Sequence, residues 1–165
     1  MMTEFPVLTE LDTPTSFCTE ALRNFSLMLE GMDFVQELAT LGIGKFHFRR
    51  RERALRELRA MSIGLWRLAL QRSFPADGET IFERFMLGLY ERARSPRERE
   101  RANAFDLLVR SYVERLNERG DGDFIAVSGH IVDLFQERAP DAVARRLKLA
   151  LLMRNAYLNI FRHLI

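Results

Sequence analysis

Lys45 to Ser73 reads KFHFRRRERALRELRAMSIGLWRLALQRS, without a proline. Within it Leu55, Leu58, Ser62, Leu65 and Ala69 follow one another by fours and threes. That spacing lines side chains along one face of an α-helix and would scatter them on a strand. At about 1.5 Å per residue, a helix over 45–73 is more than about 40 Å long, enough to cross a domain of this size. Phe48 falls seven residues before Leu55, so the same seam predicts it in the core. Phe74-Pro75-Ala76-Asp77-Gly78 is a turn that stops the helix.

Upstream, Gly42-Ile43-Gly44 separates this helix from a short one over 33–41 that carries Phe34, Val35 and Leu38. Before that, Phe17, Ala21, Leu22, Phe25, Met28 and Leu29 recur at helical spacing up to Gly31. Thr13-Pro14 reads as an N-cap followed by proline at the first helical position. Residues 1–14, with Pro6 and Pro14 among threonines and acids, are expected to be an irregular acidic arm.

Downstream, Ile81, Phe82, Phe85, Met86 and Leu89 mark another apolar face. Ser95-Pro96-Arg97-Glu98 places a serine at the N-cap, proline at N1 and glutamate at N3, a capping box. It opens a helix with Phe105, Leu108, Val109, Tyr112 and Leu116 inward, ending at Gly120. Asp121-Gly122-Asp123 starts the next, which carries Phe124, Ile125, Val127, Ile131, Leu134 and Phe135. Ala139-Pro140-Asp141 starts a last helix that is predicted to reach the C-terminus.

No segment alternates apolar and polar residues with β-branched enrichment, so no sheet is predicted. The expectation is an all-α chain: a single-domain bundle of six to seven helices over 15–165, packed antiparallel or orthogonally, with a long central helix at about 45–73 and an apolar C-terminal helix. Arg-Glu-Arg-Ala occurs at 51–54 and again at 99–102, but the flanking apolar positions do not align, so a solenoid is rejected.

The 165 residues, 47% hydrophobic and 29% charged, can bury a core without a metal or disulfide staple. Cys18 is the single cysteine, which excludes an intramolecular disulfide and fits a reducing cytoplasm. The N-terminus has no basic or apolar run of the signal-peptide kind. The longest later uncharged stretch, Phe124 to Val132, is far short of the about 20 residues that span a bilayer, so no membrane partner is expected.

Net charge is only +2, yet 23 of the 25 cationic residues are arginine, a bias that a GC-rich genome also produces. Residues 1–43 carry a net −6 and residues 44–75 a net +7. Such asymmetry asks for an external partner or for internal neutralisation, of which the internal pairing is the simpler.

Motif chemistry is sparse. No histidine is preceded three positions earlier by a glutamate, so the di-iron spacing is missing, and there is no His-Glu-x-x-His or cysteine pair for zinc. Asp121-Gly122-Asp123 resembles the start of a calcium loop, but the twelfth position is Val132. Phosphate-loop, dinucleotide and nucleophile-elbow patterns are absent, and no cofactor is implied. His130 shares a helical stripe with Asp133 and Glu137, and this stripe, opposite Ile131, Leu134 and Phe135, is expected to be solvated.

Two surfaces stand out. Lys45, Arg49, Arg50, Arg53 and Arg56 form a basic edge able to neutralise phosphates, which makes nucleic acid or another anion a candidate partner. The last helix is apolar most of the way round, beside a narrow stripe of Arg145, Lys148, Asn155, Asn159 and Arg162. It is either the central strut of the monomer or, at its tip of Leu158, Phe161, Leu164 and Ile165, a subunit interface, most simply of a homodimer.

Since convergent polar groups at motif spacing are missing, the sequence favours a non-catalytic, bacterial-type protein that acts by binding another protein, as a regulator, adaptor or anti-factor. The alternatives are nucleic-acid binding on the basic edge, and a small-molecule or lipid site between helices lined by methionine, phenylalanine and Trp66.

Overall fold

The computed structural model describes residues 16–119, 124–135 and 140–165. Among them are seven helices and no strand: α1 (Ser16–Gly31), α2 (Val35–Thr40), α3 (Phe48–Ser73), α4 (Gly78–Glu91), α5 (Pro96–Arg119), α6 (Ile125–Phe135) and α7 (Ala142–Arg162). The acidic arm, Thr13-Pro14, Gly120 to Asp123, Glu137 and Ala139 lie outside the described residues.

α3 is the axis of the bundle, and every other helix packs on it. From Ala54 to Leu70 the seam of Leu58, Ser62, Leu65 and Ala69 is buried, and so are Met61, Ile63 and Trp66 on its other faces. A helix enclosed by neighbours is apolar most of the way round, and α3 meets that condition where its sequence turns from arginine-rich to Met61-Ser62-Ile63-Gly64-Leu65-Trp66. Trp66 stacks on Phe25 of α1 at 4.2 Å and nearly parallel, while Phe85 of α4 meets both rings edge-on. Such aromatic contacts add about 0.5–1.5 kcal/mol per pair beyond the area they bury.

The ends of the elements follow local chemistry. α2 is shorter than the sequence predicts because Phe34, buried by its side chain, sits in the left-handed region at φ 54° and cannot be a helical residue. α2 closes in a Schellman motif: Ile43 N–H donates to Leu38 O and Gly42 N–H to Ala39 O, with Gly42 at φ 70°. α3 starts at Phe48, three residues later than expected, because Gly44 to His47 forms a turn; His47 N–H donates to Gly44 O, and Gly44 N–H donates to the His47 Nδ1. The capping box of α5 is present in modified form. Ser95 Oγ accepts from Glu98 N–H at 3.1 Å, but the Glu98 carboxylate reaches one residue further back, to Arg94 N–H at 2.7 Å.

Polar clamps tie the helices together. Arg67 of α3 pairs with Glu79 of α4 at 2.8 Å, and Arg110 of α5 bonds Glu83 through two nitrogens and Asp106 as well. Both guanidinium groups lie over the ring of Phe82. The hydrogen bonds from Arg110 hold the Glu83 carboxyl below its ordinary range.

α7 is not the central strut. It lays one face, Leu149, Met153, Tyr157 and Ile160, against α2, α3 and α6. The position at the centre of the bundle is already taken by α3, so the rest of the apolar surface of α7 stays outside.

Candidate interaction surfaces

The basic edge divides in two. Phe135 ends α6, and its carbonyl accepts a hydrogen bond from Arg50 Nη2. Arg53 lies over the Phe135 ring, 5.4 Å from its centroid. Helix C-terminal carbonyls lack intrahelical donors and carry partial negative charge, so cations settle there. Arg50 and Arg53 thus fasten α6 to α3. All five residues of the edge are exposed; Lys45 stands in the turn before α3, not on it, and with Arg49 and Arg56 it makes no such contact among the described residues.

Phe46 and Phe48 are 86% and 72% exposed, which corrects the assignment of Phe48 to the core. The seam does extend back to Phe48, but burial on α3 begins only at Ala54, so the first turns overhang the bundle. The result is a tip where two bare aromatic rings stand among Lys45, His47 and Arg49.

The second surface runs the length of α7. Val143, Leu147, Leu151, Leu158, Phe161 and Ile165 are each between 41% and 70% exposed. Ile165 lies beyond the end of α7; at about 100° per residue the other five fall within an arc of about 80°, to one side of the buried face. Arg154 occupies the one vacant position in that arc. Leu164 is corrected out of the predicted tip patch: at 6% exposure it belongs to the core, while its neighbours Phe161 and Ile165 stay outside. Ile165 shares a shallow depression with Leu27 and Met28 of α1, lined also by Asn24, Asn159 and His163.

The charge of α7 is one-sided. It carries Arg145, Arg146, Lys148, Arg154 and Arg162 and no acid. Arg145 is paired with Asp141 and Arg146 with Asp133. Lys148, Arg154 and Arg162 take part in no ion pair among the described residues. The sequence pattern contained this stripe, but reading α7 as apolar all round hid it; its lack of acids was the missed signal.

One cluster of titratable groups converges in the interior. Tyr112 of α5 donates to the buried Glu57 of α3 at 2.5 Å, and the ring of His130 meets the Tyr112 ring edge-on with centroids 5.9 Å apart. Burial, then the bond to Glu57, pushes the Tyr112 hydroxyl upward, so it stays a proton donor. His130 is half-buried, not on the solvated stripe expected, and burial followed by the nearby Arg115 holds its pKa below 6.5. The cluster joins α3, α5 and α6. Among the described residues no group of three or more His, Cys, Asp or Glu side chains is placed to hold a metal. No helix of the described residues is long and apolar enough to cross a membrane. Trp66, which the alternative of a small-molecule or lipid site would place in the lining, is 1% exposed inside the aromatic stack.

Comparison with protein-family models, with curated proteins and with solved structures finds no match to this chain.

Proposed function

We propose that this is a non-catalytic cytoplasmic interaction protein, a regulator or adaptor, whose α7 stripe takes an acidic amphipathic helix from a partner protein. The observation that carries this reading is the five-residue apolar arc on a helix with five bases and no acid. Helix-in-groove recognition is read from anchors three and four residues apart, and α7 offers anchors at that spacing over about 30 Å of helix. Lys148 and Arg162 beside the arc and Arg154 within it, none of them in an ion pair among the described residues, supply attraction for carboxylates. A homodimer built on α7 against α7 is the weaker occupant of this face, because it sets Lys148, Arg154 and Arg162 against their own copies with no acid of α7 between them.

The test is a photo-crosslinking residue placed at Leu151, within the arc, and separately at the exposed Leu107 of α5, a helix not packed on α7. The expected result is a single hetero-adduct from position 151 and none from 107. Equal labelling from both positions would count against the reading.

A second reading has its own observation. The bare Phe46 and Phe48 rings beside Lys45 and Arg49 suit base stacking with phosphate contacts on a single strand. With Arg56 as a third contact, the slope of log affinity against log salt should be about −2. Phe46→Ala with Phe48→Ala that leaves oligonucleotide binding unchanged removes this reading.

A further inference from the structure

A groove of 510 Å³ opens between α1, α3, α4 and α5, away from α7 and independent of the reading given to it. Its floor is apolar and drawn from all four helices: Leu29, Leu55, Ile63, Leu89 and Phe105. Ile63 is fully buried, and the other four are half-buried, so this is an indentation of the core and not a raised surface patch. The rim is charged. Arg56 and Arg59 stand on α3 and Arg101 faces them from α5, against the single acid Glu52. None of the three guanidinium groups takes part in an ion pair among the described residues.

The geometry points to a site for a single-chain amphiphilic anion, an acyl chain ending in a carboxylate. The volume lies in the range of about 300–1,000 Å³ usual for small-molecule sites. An apolar floor takes the chain out of water, and the planar donors of arginine match a carboxylate with two parallel hydrogen bonds. A neutral apolar ligand would leave the rim's excess of three arginines over Glu52 uncompensated, and a cationic one would add to it. An anionic head relieves both, which makes the rim the selective part and the floor the affinity-setting part.

The chemistry fixes the test. Octanoate, decanoate and dodecanoate, each below its micelle threshold, are titrated against the full-length protein by calorimetry, beside dodecylammonium. The expected result is one molecule per chain and affinity rising about fourfold per added methylene until the groove is full. Dodecylammonium should fail to bind. Arg59→Gln with Arg101→Gln, both exposed and unpaired, should weaken dodecanoate about tenfold without lowering the melting temperature. Equal binding of dodecylammonium, several molecules per chain, or indifference to the double substitution would each overturn the assignment. So would a groove that takes an acidic helical peptide but no free acid.

Discussion

The Tyr112 hydroxyl donates to the Glu57 carboxylate across the interface of α3 and α5, inside the bundle and 55 residues apart in sequence. Glu57 is 9% exposed, so the phenol supplies hydrogen bonding that water cannot. Tyr112→Phe should therefore cost about 1–3 kcal/mol, the penalty for stranding a buried acceptor. Glu57→Gln, which keeps a carbonyl for the phenol and removes the charge, should cost less. Urea unfolding of the two variants checks the order, and a neutral Tyr112→Phe would show that the bond contributes nothing.

His130 makes stability depend on pH in a definite direction. Its folded pKa lies below the ordinary 6.5, because burial and Arg115 disfavour the charged ring more than Glu57 and Asp133 favour it. The unfolded chain then binds the proton first, so stability is full above about 6.5 and declines as pH falls toward the folded value. Glu83 acts lower, losing its contribution only as pH falls from about 4.5 through its depressed pKa. Denaturation measured from neutral to mildly acidic pH should show the upper decline in the wild type and a flatter profile in His130→Gln.

Two glycines of α4 should respond in opposite ways to the same methyl group. A Cβ on Gly78 would lie 2.8 Å from the backbone carbonyl oxygen of Leu70, which cannot yield without unwinding the end of α3. Gly78→Ala should cost about 1–3 kcal/mol as overpacking. Gly88 has nothing within 4 Å of that position, and Gly88→Ala should stabilise by about 0.5–1 kcal/mol. Thermal melts of the pair check both signs.

The helical spacing was enough to predict the all-helical bundle, the long axis through Leu58, Ser62, Leu65 and Ala69, and the capped start of α5. It could not place helix against helix. Phe48 obeys the seam rule yet stands in solvent, because periodicity says which way a side chain points and not whether a neighbour covers it. The same gap explains α7. A chain with two largely apolar helices can centre only one, and α3 holds the centre, where its aromatic stack with α1 and α4 forms. The division of the arginine cluster into clamp and free residues depended on where α6 ends, a tertiary fact with no local signal.

That division is testable within a single turn. Arg50→Ala removes the donor to the Phe135 carbonyl and should destabilise by about 0.5–1.5 kcal/mol, the net value of a hydrogen bond whose donor stays partly in water. Arg49→Ala, at an equally exposed position without that contact, should stay within about 0.5 kcal/mol of the wild type and cost less than Arg50→Ala. Equal effects in chemical denaturation would return both residues to one class.

The docking surface on α7 is tested most directly by the affinity of the protein captured at position 151, measured for the wild type and for Leu151→Asp. Both are read at about 0.01 M and about 1 M ionic strength, between which the Debye length shrinks from about 30 to about 3 Å. An acidic helix seated on the arc predicts weakening by salt in the wild type and a loss of at least about tenfold on Leu151→Asp, with the melting temperature unchanged. An affinity indifferent to both, or an adduct consisting of a second copy of this chain, would contradict it.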